Sequence, residues 1–292
     1  MAPVIIIPIP EDFLLPNAPT TYRYYIYRDG TPLPRPIAKG LHGVVLLEAG
    51  NATVVKLPVL SMIVDNGRKF ESNDNKITPC LEQERLVYER LHGLIGIARY
   101  LGPVGEGFRL EYYPHGNLQR YVDDRPEVSM HQKRKWIIEM VESLARCHEA
   151  RVLVYDVSLR NFVLDKDDKI RLLDFADSSL LPLETGMNEL DDDGCSAKLD
   201  MLHLGASIYT LVTWSYLDID CGLDVDWPDL ASLPSTSRMF YGSIIKACWT
   251  GRYQSARELY WELCHPRPRR NACTRASRHE RSIEAKPPQP TC

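Results

Sequence analysis

Asp156 and Asn161 stand five residues apart in VYDVSLRNFVLD, and Asp174 follows eighteen residues after Asp156 in KIRLLDF. These side chains carry hard carboxylate and amide oxygens, the donors Mg²⁺ takes when phosphates and water fill its other sites. Far upstream, Lys56 lies inside the apolar run VVKL. Desolvating an ammonium there is costly unless it finds anionic partners. The stretch CLEQERLVYERLHG supplies one: Glu84 shares a helical face with Val87, Tyr88 and Leu91, whereas Glu82 and Glu89 compete from other faces. Before the lysine, AKGLHGVVLLEAG holds Gly40 and Gly43. Glycine lets a hairpin backbone approach phosphate oxygens, although ordinary turn chemistry accounts for two glycines as readily.

Groups so far apart in the chain need a scaffold to bring them together. GVVLLEA and ATVVKLPVL read as strands of a hairpin turning at Gly50 and Asn51, and CLEQERLVYERLHGLIG as a helix with Leu81, Leu86, Val87 and Leu91 near helical spacing. FRLEYYP is a further strand, and Pro114, Gly116 and Asn117 mark a break between two lobes. Beyond it, HQKRKWIIEMVESLARCHEA places Trp136, Ile137, Met140, Val141, Leu144 and Cys147 on one helical face. Short strands follow around Asp167 and Asp168, then LDMLHLGASIYTLVTW, apolar nearly all round, as a buried central helix. Strands with one helix, followed mostly by helices, predict an α+β protein with segregated lobes. Eight prolines within residues 1–36 predict an extended arm, at most edge strand. Residues 266–292, with five prolines, seven Arg or Lys and two acids, predict a solvated tail.

From about Ala38 to Cys264 the sequence resembles the eukaryotic protein kinases, in the small single-domain style of fungal kinase-like proteins. The resemblance implies a bilobal fold, with a β-rich N-lobe over 38–112 and a mainly helical C-lobe over 113–265, between the arm (1–37) and the tail (266–292). It implies that Gly40, Gly43 and Val45 belong to a G-x-G-x-x-G-x-V loop whose first glycine is Ala38 here. Lys56 paired with Glu84 would hold the phosphates of ATP, Asp156 would act as base toward the attacking hydroxyl, and Asn161 and Asp174 would hold Mg²⁺. Leu110 corresponds to the gatekeeper, the backbone of Glu111 and Tyr113 to the adenine edge, and Val45, Val54 and Val163 to the sandwich around the base. Asp200 and Gly205 match the D-x-x-x-x-G of the buried helix that braces the catalytic loop. The implied activity is transfer of the γ-phosphate to a protein hydroxyl, Ser or Thr ahead of Tyr.

Departures from the family pattern keep other readings open. Val154 and Tyr155 replace the His-Arg before Asp156. Val154 is expected to fill the apolar spine between Tyr88 and Phe175, but Tyr155 cannot grip a phosphorylated loop, so no activation by loop phosphorylation is expected. Ala176 replaces the glycine after Asp-Phe, where a positive φ would strain alanine by ~1 kcal/mol. No Ala-Pro-Glu follows ELDDDG, and Arg252 is a distant candidate for the arginine that would pair with that glutamate. Ser158 and Arg160 leave the acceptor type unsettled. A non-catalytic nucleotide-binding module and a kinase of small molecules are the alternatives.

Composition narrows the classes further. The 292 residues carry 35 Lys and Arg against 39 Asp and Glu, so no field favours nucleic acid or an acidic membrane. Eight cysteines show no C-x-x-C pair, and the proline-broken start MAPVIIIPIPEDFLL is no convincing signal peptide. His92, His148 and His203 are expected as polar core members on helices, and the five tryptophans as packing residues. A cytoplasmic, monomeric protein with a protein substrate is the expectation.

Overall fold

The computed structural model describes residues 5–8, 20–27, 35–39, 43–58, 60–65, 68–72, 77–124, 126–219 and 227–265, with side chains for 36–39, 43–58, 79–124, 126–219 and 227–265. Gly40 and the basic 266–292 segment lie outside the described residues. In the first half the elements run β1 (Ile5–Pro8), β2 (Thr20–Tyr27), β3 (Arg35–Lys39), β4 (Val44–Leu47), β5 (Thr53–Leu57), β6 (Leu60–Asp65), β7 (Arg68–Ser72), α1 (Ile77–Arg90), β8 (Tyr100–Val104) and β9 (Gly107–Glu111). The second half continues through α2 (Leu118–Asp124), α3 (Met130–Glu149), β10 (Val152–Leu153), β11 (Phe162–Leu164), β12 (Ile170–Leu172), β13 (Ser179–Leu180), α4 (Ala197–Thr213), α5 (Gly242–Trp249) and α6 (Ala256–Cys264). The result is an α+β protein with its large sheets first and most of its helices last.

Two antiparallel sheets occupy the first half, in the orders β1-β2-β6-β7 and β3-β4-β5-β9-β8. The first corrects the expectation of an arm with at most edge strands, because β2 is paired on both sides, to β1 and to β6. TTYRYYIY contains no proline, so every N–H is available to a ladder, and its β-branched and aromatic residues suit one. Prolines fall in the flanks and at Pro8 of the edge strand β1, where they are tolerated. Likewise ATVVKLPVL is not one strand: β5 ends at Leu57, and the chain after Pro58 enters β6 of the other sheet.

The second sheet sets the direction of the lysine. In β5, Val55 and Leu57 share a face with Val44 and Leu46 of β4 and form a small core of their own. Val54 and Lys56 take the other face by strand alternation. The register sets Val45 opposite Lys56, and Leu47 and Leu110 opposite Val54. That face meets α1, whose Leu81, Val87 and Tyr88 are buried, as is Leu91 just past its end, while Leu86 is exposed, contrary to its expected place in the stripe.

The C-terminal half is organised around α3 and α4. Every residue of the expected α3 face, from Trp136 to Cys147, is buried, and the helix is capped by Ser129 Oγ, which accepts the Gln132 N–H at 3.2 Å. In α4 twelve residues are buried, as an all-round apolar segment requires. Between them, β11 and β12 form a hairpin with Phe162 opposite Leu172. That register sets the residue before β11, Asn161, beside the residues after β12, and the Leu173 N–H donates to Asn161 O at 2.9 Å. One short hairpin thus delivers both Asn161 and Asp174. Among the described residues no helix is long and apolar enough to cross a membrane.

Candidate active site

Lys56 Nζ lies 2.7 Å from Glu84 Oε2 and 2.8 Å from Asp174 Oδ1. Three residues separated by 28 and 90 positions in the chain therefore converge. Glu82 and Glu89 instead flank Arg85 on the outer side of α1. The helix also grips the backbone beyond β12: Glu84 Oε1 accepts the Phe175 N–H at 3.3 Å and the Tyr88 hydroxyl accepts the Asp174 N–H at 3.2 Å. The Tyr88 and Phe175 rings meet edge to face at 5.0 Å. Val154, though buried, is therefore not the link between them that the sequence suggested.

One ammonium between two carboxylates leaves the triad with an excess negative charge. Burial pushes the Glu84 carboxyl up to about 7; the Lys56 ammonium opposes the rise and the Asp174 carboxylate adds to it. Burial also works against the Lys56 ammonium, but the two carboxylates together outweigh it and hold it above the ordinary lysine value.

The loop from Val154 to Asn161 carries the second half of the site. The Asp156 carboxylate accepts from Asn161 Nδ2 at 2.8 Å and from Arg160 Nη2 at 2.7 Å. With Nδ2 turned to Asp156, Asn161 presents Oδ1 as its oxygen donor. Below the loop, Asp200 is 0% exposed and accepts the N–H groups of Val154 at 2.9 Å and Tyr155 at 2.7 Å, and His148 Nε2 at 2.9 Å. His148 Nδ1 accepts the Ala256 N–H at 3.0 Å, which leaves Nε2 as the donor toward Asp200. His203 Nδ1 bonds the Tyr155 carbonyl at 2.5 Å. His148 is thus buried on a helix as expected, whereas His92 is exposed just beyond the end of α1.

Left-handed backbone occurs at Tyr155 (φ 63°) and Asp174 (φ 65°), and not at Ala176. The strain expected at the alanine therefore falls on two site residues instead. Each such residue costs about 1–3 kcal/mol and persists only where its surroundings over-determine it. Asp200 and His203 fix Tyr155, and Tyr88 and Lys56 fix Asp174. Tyr155 also bonds through its hydroxyl to Asp191 in the ELDDDG run. Arg252 pairs with Glu262 at 3.2 Å, which overturns its candidacy as partner to an upstream glutamate.

Val54, Leu110 and Val163 are buried and Val45 is half-buried, three of them sharing the Lys56 face of the sheet. Val163 reaches this neighbourhood through the bridge between Asn117 and β11. The backbone of Glu111 is tied to Arg99 by N–H to O at 3.0 Å, and the Tyr113 ring packs inward with its hydroxyl accepting the Arg99 N–H at 2.9 Å. Gly43 has a packing reason of its own, since a Cβ there would come within 2.7 Å of the Leu57 carbonyl oxygen. The fit for a magnesium ion rests on donor chemistry. Among the described residues no three His, Cys, Asp or Glu converge on a metal position. Asn161 and the half-exposed Asp174 supply two hard oxygens, the share a protein gives Mg²⁺ when phosphates and water complete the octahedron.

Sequence reasoning missed Asp191 and the full role of His148. Nothing in its residue type separates Asp191 from its acidic neighbours, and a histidine on an apolar helix face reads as generic polar core. Beside Asp156 a cavity of about 890 Å³ opens between the loop, α2 and α4, and no motif announced it.

Comparison with known proteins agrees with this geometry. The model of the protein kinase domain matches residues 106–191, which contain Asp156, Asn161 and Asp174 but neither Lys56 nor Glu84. Human NUAK family SNF1-like kinase 2 is 32% identical over 71 residues, 24% of this chain and 11% of that protein. The serine/threonine-protein kinase PKH1 of Saccharomyces cerevisiae is 26% identical over 138 residues, 43% of this chain and 18% of that protein. The hormonally up-regulated neu tumor-associated kinase homolog B of Xenopus laevis is 23% identical over 120 residues, 36% of this chain and 19% of that protein. The chain thus spans less than a fifth of the length of these relatives. Over residues 106–191 the chain is similar to the protein kinase domain, and the fold brings Lys56 and Glu84, which lie upstream of the matched segment, onto it.

Proposed function

We propose that this chain transfers the γ-phosphate of ATP, bound with Mg²⁺, to a hydroxyl of a protein, Ser or Thr ahead of Tyr. The observation that carries the reading is the Lys56 ammonium held between Glu84 and Asp174, on the same hairpin that delivers Asn161 beside Asp156. Phosphoryl transfer demands little covalent chemistry of a protein and much positioning and charge neutralisation. Lys56, oriented by Glu84, binds the phosphate oxygens. Asn161 and Asp174 would hold the metal, which spreads the charge developing on the transferred group. Asp156, fixed by Arg160 and Asn161, accepts the proton of the acceptor hydroxyl as its oxygen bonds to phosphorus and the bond to ADP breaks. Val45, Val54, Leu110 and Val163 offer the apolar walls for the adenine, and the backbone of Glu111 and Tyr113 its edge.

A second reading, a module that holds nucleotide without turning it over, is favoured by the unusual Val154-Tyr155 pair and the short spacing of 26 positions from Asp174 to Asp200. Both readings give a thermal shift with ATP and Mg²⁺, and only an enzyme consumes ATP with an acceptor. Asp156→Asn should keep the thermal shift and lower turnover by ~10²–10⁴-fold, the usual contribution of a positioned base. Undiminished turnover in that variant would remove Asp156 from the mechanism, and absence of turnover in the unsubstituted chain would leave the binding module.

A further inference from the structure

The cavity beside Asp156 has a floor and a rim of opposite character. Val157, Leu199, Ala206 and Ile219 line it with buried apolar surface, while Asp123, Asp177, Asp193 and Asp218 stand exposed around the opening and Asp156 closes one wall. Among the described residues one arginine, Arg160, lines it, and it is already committed to Asp156 at 2.7 Å. Among the described residues no Lys or Arg pairs with Asp123, Asp193 or Asp218. The field reaches the wall: burial, and after it Asp218, raises the Tyr216 phenol, with Asp156 and Asp123 contributing and Arg160 opposing. A ligand matching both parts has aliphatic stems ending in cations, which is the description of Lys and Arg side chains. The position of Asp156 adds that a hydroxyl must come with them.

Resting on the kinase reading above, we infer that this cavity docks a basic peptide bearing the acceptor hydroxyl, and that residues 266–292 of this chain are such an acceptor. That segment holds seven Arg or Lys against two acids and sets Thr274, Ser277 and Ser282 among its arginines, in NACTRASRHERS. Charge complementarity selects it over the rest of the sequence, which is net acidic. Phosphorylation forms a bond from the Ser or Thr oxygen to the γ-phosphorus of ATP, breaks the bond to ADP and passes the hydroxyl proton to Asp156.

A dye-labelled peptide of residues 266–292, titrated into full-length chain whose own six arginines in that segment are changed to Gln, isolates the docking step from turnover. Binding should weaken by about tenfold or more in the Asp123→Asn/Asp218→Asn background and as salt is raised, since exposed charges are screened beyond ~8 Å at physiological ionic strength. In parallel, the unsubstituted full chain incubated with ATP and Mg²⁺ should carry phosphate on Thr274, Ser277 or Ser282 by mass spectrometry. No binding, or binding indifferent to the two aspartates, overturns the inference. So does ATP consumption with another protein acceptor while these three hydroxyls stay unmodified. Peptide binding as expected, with no ATP consumed by any acceptor, sustains the docking and defeats the kinase reading instead.

Discussion

Glu84 is the residue whose protonation decides whether the lysine is held. Its folded-state value is raised to about 7 from an ordinary 4.5, so between these values the folded chain binds more protons than the unfolded one. Linkage then makes stability fall as pH rises through this window, and level off above it. Under the proposed function, activity should run the other way, because protonated Glu84 no longer anchors Lys56. Below about pH 7, kcat/KM, which reports on the free enzyme, should fall by up to roughly tenfold per unit while the melting temperature rises. A rate that is flat from pH 5 to 8 would remove Glu84 from the site chemistry. At this scale the sequence was legible wherever an expensive group lacked a local partner: a lysine in VVKL and a glutamate on the apolar stripe of a helix each announce burial. It was silent on Tyr155 and Asp174 as left-handed residues, since that conformation is imposed by Asp200, His203, Tyr88 and Lys56, all distant in the chain.

Among the elements, α4 carries the support of the site. Asp200 satisfies three buried donors from α3 and the Val154–Asn161 loop, and each donor left without a partner costs about 1–3 kcal/mol. Asp200→Ala should therefore destabilise the chain by about 3 kcal/mol or more, read as a lowered urea midpoint at unchanged m-value. A variant as stable as the parent would show that the loop does not depend on this carboxylate. Gly205, one turn further along α4, lets α5 approach: a Cβ would meet the Trp249 ring at 2.8 Å. Helices and hairpins were legible because their period and turn residues are local. Less legible was the destination of a strand. Nothing between Leu57 and Leu60 says that β6 joins β2 in a separate sheet, because sheet partners are chosen by long-range pairing and the proline only breaks the strand. Counting prolines over residues 1–36 likewise obscured the proline-free TTYRYYIY that makes β2 an interior strand.

In the whole molecule, the N-terminal sheet and α1 provide Lys56 and Glu84, and the C-terminal half provides Asp156, Asn161 and Asp174. The Lys56 to Asp174 contact spans 118 residues of sequence and joins the two halves, which under the proposed function would enclose the nucleotide between them. The motif spacing made this arrangement legible, whereas the acidic cavity was not, because its aspartates come from α2, the Asp174 to Asp200 stretch and the turn after α4, and only the fold gathers them. The most direct measurement is transfer of labelled γ-phosphate from ATP with Mg²⁺ to protein, comparing the unsubstituted chain with Asp174→Ala. Transfer that depends on Asp174, with loss of at least two orders of magnitude in the variant, is the expected result. Equal transfer by both chains would contradict the convergence of Lys56, Asn161 and Asp174 on a triphosphate.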